Sequence, residues 1–514
     1  MKTIVFAVAF ICFASNAQGL PQKPAADASQ KSAPPACAPA AYLTFEFGKL
    51  AGVDWVSQDA NRVHTRTILT QSMVIDATID MRADQTAAHS SVILTMAGDE
   101  PQKPKTRDLG DGAIYWSDMI VSSVQQAIAR ARVIGQPSAT IPAASLYSSS
   151  RGEVSVERLD PTDWVVSYHH KRYQVLTDGD GCMLSAILPE YGVTIERRTN
   201  FPADSYPIWL PYAAPPDGAY SAADVSIPAP QGHVLAGTLT RPSQKKLAPA
   251  AVLITGLSPH ERNNGQPPWM PFRDIADALT RAGIAVLRVD DRGVGKSTGD
   301  HAPSTTLDEA DDVQAEVAWL RTQPGIDPKR IALVGYSEGG LIAPIVASRD
   351  PSIAAIVTLA GPGVPGPELA HYQIEQAVIG DPSIAVADRE KEIAKQLAEP
   401  LTPRERVFLA LDPLEFAARV RCPALIIQGA TDLHVPPRST EKIAAAMRAN
   451  GNSDVTVRLF PAVSHSLLPD TIGLESGWVM LPGFLTTPPL LDALTQWAVQ
   501  KLVTTSTGAP GSRS

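Results

Sequence analysis

The sequence predicts two folded parts in one chain: a mainly antiparallel β domain over residues 42–207, then a mostly parallel α/β sheet with helices on both faces over 222–503. Three observations predict this. Short runs alternating apolar and polar residues, split by Gly, Asp and Pro turns, fill the first part. Continuous apolar runs alternating with helical stretches fill the second, the pattern of parallel strands buried on both faces. Gly-x-Ser-x-Gly falls where one of those runs gives way to an apolar helix.

The length of 514 residues accommodates two or three domains, and 44% hydrophobic against 19% charged residues describes a globular chain. A net charge of -9 with no long basic run makes nucleic acid a poor partner. Lys2, the apolar stretch Ile4–Phe13 and small residues at Ser15, Ala17 and Gly19 read as an export signal over 1–19, cleaved near Ala17 or Gly19. That stretch is well short of the roughly 20 residues that span a bilayer, and no later segment comes closer. The mature protein is therefore expected in the periplasm or outside the cell, with no transmembrane segment.

Residues 20–41 are rich in Pro and Ala, bury little, and read as a tether. Once Cys12 leaves with the signal, Cys37, Cys182 and Cys422 remain, an odd number that leaves at least one free thiol or an intermolecular bond. An oxidising compartment allows a Cys37–Cys182 bridge. Three reduced thiols is the alternative, and spacing does not choose. None of the three has the CxxC or Cys/His spacing of a metal site.

In the first part, YLTFEF, SMVIDATIDM, SSVILTM, VSVERL, WVVSYHH and YQVLTD read as strands. Val121, Val124, Ile128 and Ala131 recur at helical spacing, predicting one helix packed on that sheet. TDGDG at 177–181 lacks the third ligand, the Gly and the terminal Glu of a calcium loop, so it reads as a hairpin turn and no metal is assigned.

In the second part the strands are VLITG (252–256), AVLRVD (285–290), IALVGY (331–336), IAAIVTLAG (353–361) and ALIIQG (424–429), with VTVRLF after them. LDEADDVQAEVAWLRTQ, STEKIAAAMRANG and residues 490–502 supply helices, and 504–514 read as a frayed tail. Between 363 and 411 the strand rhythm stops. A helical insertion there, on the ligand-binding edge, reads as a lid whose Phe408 and Leu411 would cover an apolar acyl chain.

GYSEGG at 335–340 makes Ser337 the candidate nucleophile: Gly335 and Gly339 leave room for a sharp strand-to-helix turn that lifts Oγ clear of the sheet. A Ser hydroxyl needs a base, and the base an orienting carboxylate, both expected on loops after later strands. Asp432 follows ALIIQG and His465 follows VTVRLF, so they take those roles. His434 shares the loop of Asp432, and Asp412 reads as a helix cap. The oxyanion would need the backbone N–H of Glu338 and one from the loop after VLITG, with Leu257 the best choice and Ser258 next. His260, Arg262 and Asn263 either line the pocket mouth or are solvated loop residues. GVGKS has Asp290 where a phosphate loop requires Gly, so a tight turn explains its glycines.

TGLSPHERN, VLRVDDRGVGKSTG, IDPKRIALVGYSEGGLIAP, IVTLAGPG, CPALIIQGATDLHVPP and SHS together resemble the bacterial secreted serine esterases of the α/β-hydrolase superfamily. The resemblance covers about 222–502. It implies the α/β-hydrolase fold, Ser337 as nucleophile, Asp432 as acid, His465 as base and no cofactor. Tyr336 stands where such enzymes often carry His, and the segment after His465 is longer than theirs. The expected function is hydrolysis of a small-molecule or glycan-linked carboxylic ester through an acyl-enzyme. Acyl transfer uses the same residues. A prolyl-oligopeptidase-like peptidase is the other enzymatic reading, although residues 42–207 are too few for seven propeller blades at about 40 residues each. A binding protein on a hydrolase scaffold is the non-enzymatic one.

Overall fold

The computed structural model describes residues 37–59, 61–243, 247–473 and 481–504, which form two compact units. The expected export signal, the tether up to residue 36 and the tail beyond Thr504 lie outside the described residues.

The N-terminal unit comprises described residues 37–209 and 481–484. Its strands are β1 Ala40–Glu46, β2 Lys49–Gln58, β3 Arg62–Leu69, β4 Met73–Met81, β5 Ala87–Met96, β6 Lys105–Asp108, β7 Ile114–Trp116, β8 Ser138–Ser145, β9 Arg151–Arg158, β10 Asp163–Tyr168, β11 Lys171–Thr177, β12 Met183–Leu188 and β13 Val193–Arg198. They make one sheet in the order β6-β5-β4-β3-β2-β1-β13-β12-β11-β10-β9-β8-β7, antiparallel except between β7 and β8. From β1 in mid-sheet the strands therefore run to one edge at β6, cross to the other at β7 and meander back until β13 pairs with β1. Helix α1, Ser122–Ile134, buries Val124, Ala127, Ile128 and Ala131, the helical period read in the sequence.

The tether ends earlier than expected. Cys37 is bonded to Cys182, and Ala40 and Ala41 are buried in β1, because pairing with β2 and β13 gives these small residues a sheet to fill. The bridge closes a separation of 145 residues, worth about 5 kcal/mol on the chain-entropy account. Cys422 is free. TDGDG is a turn, its Asp178 carboxylate accepting from the backbone N–H groups of Asp180 and Cys182.

The second unit comprises described residues 210–473 and 485–504. Its strands are β14 Tyr220–Pro228, β15 Val234–Pro242, β16 Ala248–Ile254, β17 Ala285–Val289, β18 Ile326–Tyr336, β19 Ala355–Leu359, β20 Ala424–Gly429 and β21 Val455–Phe460. The order is β14-β15-β17-β16-β18-β19-β20-β21. β14 and β15 form an antiparallel hairpin joined antiparallel to β17, and every other pairing is parallel.

Two cores explain why the buried stretches of the central strands are mostly apolar. Ala250, Val252 and Ile254 of β16 face α3 (Thr306–Arg321), α4 (Gly339–Arg349) and α9 (Ser439–Ala449). Ala251 and Leu253 face the opposite core with α2 (Pro271–Arg281) and α10 (Pro488–Ala498).

The insertion folds as α5 Gly366–Gly380, α6 Arg389–Leu397 and α7 Pro403–Ala410, followed by α8 Pro413–Ala417. Phe408 is buried in the first core and Leu411 packs against it, so these two positions fill the unit's interior rather than roofing a pocket. The alternation of ERVFLALD marks a packed face, and a packed face alone does not say what it packs on. Among the described residues no helix is long and apolar enough to cross a membrane.

Candidate active site

The sharp turn after β18 is enforced by close backbone packing. A Cβ on Gly335 would lie 1.9 Å from the Gly339 carbonyl oxygen, and one on Gly339 would lie 2.3 Å from that of Ile254. Only glycine fits either place. Between them Ser337 holds a left-handed φ of 54°, an uncommon conformation for a residue with a side chain, and its N–H donates to the Leu359 carbonyl at 2.9 Å. The strain directs Oγ away from the sheet at the start of α4.

Asp432 follows β20 and is 1% exposed. Its Oδ1 accepts the backbone N–H groups of His434 and Val435, both at 2.8 Å, and Oδ2 accepts Gln428 Nε2 at 3.0 Å. These donors hold a buried carboxylate in one orientation. His465, on the loop after β21, has Nδ1 2.9 Å from Asp432 Oδ2 and Nε2 3.1 Å from Ser337 Oγ. The three residues selected from sequence therefore meet in one relay, in which Nδ1–H donates to the carboxylate and the bare Nε2 faces the hydroxyl. Tyr336 supports it from below, its hydroxyl donating to the His465 carbonyl at 3.1 Å. Trp269 Nε1–H holds the neighbouring Ser466 carbonyl at 3.1 Å.

The backbone N–H groups of Leu257 and Glu338 donate to no protein acceptor among the described residues. Gly256 lies against Ser337, since a Cβ on it would sit 3.3 Å from the Ser337 Cβ. A carbonyl attacked by Ser337 would thus develop its negative charge beside donors not already spent.

Other sequence candidates sort differently. Asp412 caps α8, accepting the Leu414 N–H at 2.9 Å. Arg262 is 1% exposed and grips Asp290 through Nε at 2.8 Å and Nη2 at 2.7 Å. The Lys296 N–H donates to the same carboxylate at 3.0 Å, so GVGKS folds around Asp290. Asn263 is buried with Arg288. Arg262 and Asn263 are therefore interior side chains, whereas His260 is half-buried beside the nucleophile turn, where a Cβ on Gly256 would lie 3.7 Å from its Nε2. Sequence reasoning missed Gln428, whose polar amide in an otherwise apolar strand was the available signal.

His434 also belongs to the site: its ring lies 4.6 Å from that of His465. Burial pushes its imidazolium down to about 3, His465 beside it adds to the shift, and Asp432 opposes it. Burial likewise takes His260 down to about 4, with His301 and Arg404 adding. Unfolded imidazoles titrate near 6.5, so below that pH the unfolded chain binds protons that the fold refuses, and stability falls. Tm measured from pH 7 down to 4 should fall for the wild type and fall less for His434→Gln. Parallel slopes would contradict this account.

Among the described residues no three His, Cys, Asp or Glu side chains are grouped to hold a metal ion. The sheet order, with its antiparallel hairpin, nucleophile turn and later acid and His loops, is joined by two family-model matches. One is X-Pro dipeptidyl-peptidase (S15 family) over residues 231–373, and the other is BAAT / acyl-CoA thioester hydrolase C terminal over 313–472. The second unit has the α/β-hydrolase fold. The esterase EstD of Thermotoga maritima is 25% identical to the chain over 248 residues, 46% of this chain and 58% of that protein. A thiohydrolase of Arthrinium phaeospermum is 33% identical over 137 residues, 26% of this chain and 41% of that protein. The chain thus matches about half the length of these curated relatives. Among solved structures, an esterase of Pyrococcus furiosus aligns at a TM-score of 0.41 and 18% identity over 57% of this chain and 94% of that one. Both family models and the nucleophile turn fall within the hydrolase unit.

Proposed function

We propose that the protein is an exported serine hydrolase that cleaves carboxylic esters through an acyl-enzyme. The observation that carries this reading is the continuous relay from Asp432 through His465 to Ser337 Oγ, with links of 2.9 and 3.1 Å. Ser337 Oγ attacks the ester carbonyl while His465 Nε2 takes its proton, and the Leu257 and Glu338 N–H groups receive the oxyanion. Asp432 steadies the imidazolium that forms. His465 then returns the proton to the departing alcohol, and water, activated by the same His, releases the acid. His434, held neutral, adds no positive charge beside that imidazolium. The chemistry needs no cofactor. The leader read at residues 1–19 supports export, and the esterase name of the Thermotoga maritima relative supports an ester as substrate.

The S15 match over 231–373 favours a peptidase as the second reading. A panel of p-nitrophenyl esters of graded acyl length, assayed beside an aminoacyl p-nitroanilide, separates the two. The ester reading expects the best kcat/KM on an ester by at least about tenfold, a margin of about 1.4 kcal/mol. A preference for the anilide would favour the peptidase, and turnover of neither would favour a binding protein.

A further inference from the structure

Arg404 is the second residue of α7, inside the helical insertion, yet it is 8% exposed. Its place is fixed before it makes any long-range contact. Thr402 and Glu405 form a reciprocal capping box, with the Thr402 N–H on Glu405 Oε2 at 2.7 Å and the Glu405 N–H on Thr402 Oγ1 at 3.2 Å, and Pro403 opens the helix.

From there one guanidinium reaches the two residues whose amides stand at the proposed oxyanion position. Nε donates to the Leu257 carbonyl at 3.1 Å, and Nη2 donates to Glu338 Oε2 at 2.6 Å. Nη1 donates to Glu309 Oε1 at 2.6 Å and Ser304 Oγ at 3.2 Å, tying the group to α3 and the loop before it. The second Glu338 oxygen accepts Thr306 Oγ1 at 2.6 Å. On the other side of the Gly256–Leu257 peptide, the Gly256 N–H reaches Asn264 Oδ1 at 3.3 Å. That peptide, which carries the Leu257 N–H, is thus held on both flanks, and its distance from Glu338 is set by one rigid planar fork.

We infer that Arg404 is a positioning residue that holds the Leu257 and Glu338 amides at the separation a tetrahedral oxyanion requires, so the insertion completes the catalytic site rather than merely covering it. This inference rests on the serine-hydrolase reading. Arg404 acts through its partners and touches no substrate. The insertion is also fixed at the acid end of the relay, where the Tyr372 hydroxyl of α5 donates to the Asp432 carbonyl at 2.7 Å. A rigid cap anchored at both ends of the relay is the consequence, with Arg404 the anchor that bears on catalysis.

Arg404→Lys tests it. Lysine keeps a positive charge among the carboxylates but replaces the planar fork by a single ammonium, which cannot hold the Leu257 carbonyl and both carboxylates together. Steady-state kinetics on the best ester, inhibition by a trifluoromethyl ketone carrying the same acyl chain, and Tm are measured together. The ketone adds Ser337 Oγ and places an oxyanion at the same amides. Misplaced donors predict a kcat about ten- to hundredfold lower, KM within about twofold, and a ketone Ki weaker by the same factor as kcat.

Asn452→Ala is the control, since Asn452 is buried and donates to the Val420 carbonyl at 3.2 Å and the Cys422 carbonyl at 2.8 Å, before β20 at the strand end opposite Asp432. It should lower Tm while leaving kcat and Ki within about twofold. The inference is overturned if folded Arg404→Lys keeps kcat and Ki within twofold of wild type. It is also overturned if the two variants lower kcat alike, in proportion to their loss of Tm. Should Arg404→Lys not fold, Glu338→Gln takes its place with the same kcat, KM and Ki criteria. A wild-type enzyme that the ketone does not inhibit overturns the serine-hydrolase reading itself, which distinguishes that failure from failure of the clamp.

Discussion

Ser337→Ala should lower kcat/KM on the best ester by about 10⁴ to 10⁶ while leaving Tm unchanged. The substitution removes one oxygen atom, and alanine meets the left-handed φ of 54° at the same backbone cost as serine. The Ser337 N–H to the Leu359 carbonyl and the glycine contacts that force the turn all survive. What disappears is the atom that attacks. Activity within tenfold of wild type, after correction for contaminating enzyme, would remove Ser337 from the chemistry.

Asp432→Asn should cost about 10³ to 10⁴ in kcat with little change in KM, for a reason particular to this loop. Asp432 Oδ1 accepts two backbone N–H groups, so an asparagine will place its carbonyl oxygen there and its NH2 group at the Oδ2 position. That NH2 then faces His465 Nδ1 as a donor. The imidazole must accept it by carrying its proton on Nε2, where it opposes the Ser337 hydroxyl and can no longer act as base. The same NH2 also confronts Gln428 Nε2, another donor, so some loss of Tm accompanies the loss of rate. Measured kcat values near wild type would show that Asp432 does not orient the base.

Both effects were foreseeable because the hydrolase unit writes its architecture locally. Strands buried on two faces are mostly apolar, so the apolar runs of β16 to β20 stand out from the helices between them, Arg288, Thr358 and Gln428 being polar exceptions within those runs. The turn at Ser337 is legible because steric necessity fixes glycine two residues to either side. Asp432 and His465 could be nominated because each follows a strand that is itself easy to recognise.

What was not legible is set by partners far away in the chain. β14 is an edge strand with alternating, half-exposed residues, and nothing in it announces that it pairs with β15 beside β17. The N-terminal strands read individually as antiparallel, yet the closure of β1 on β13 depends on residues over 140 positions apart, such as Phe45 and Thr194. The long segment after His465 is explained in part by its placement. Residues 481–484 belong to the N-terminal unit, where the Phe484 N–H donates to Glu46 Oε1 at 2.9 Å. Nothing in the sequence singles out Arg404 from the other charges of its helix, because an ion pair with Glu309 or Glu338 leaves no periodicity to read. Amphipathic spacing marks the face of Phe408 as buried without naming what buries it, so the sequence does not distinguish a pocket roof from the core in which Phe408 lies.

The central claim is that Ser337 is the nucleophile of an acyl-enzyme. The most direct measurement is reaction of the whole protein with a fluorophosphonate, followed by peptide mapping by mass spectrometry. The account predicts one phosphonyl group per chain, on the peptide and residue of Ser337, formed by wild type and absent from Ser337→Ala. An adduct on another residue, or no adduct from a folded protein that still turns over esters, would contradict it.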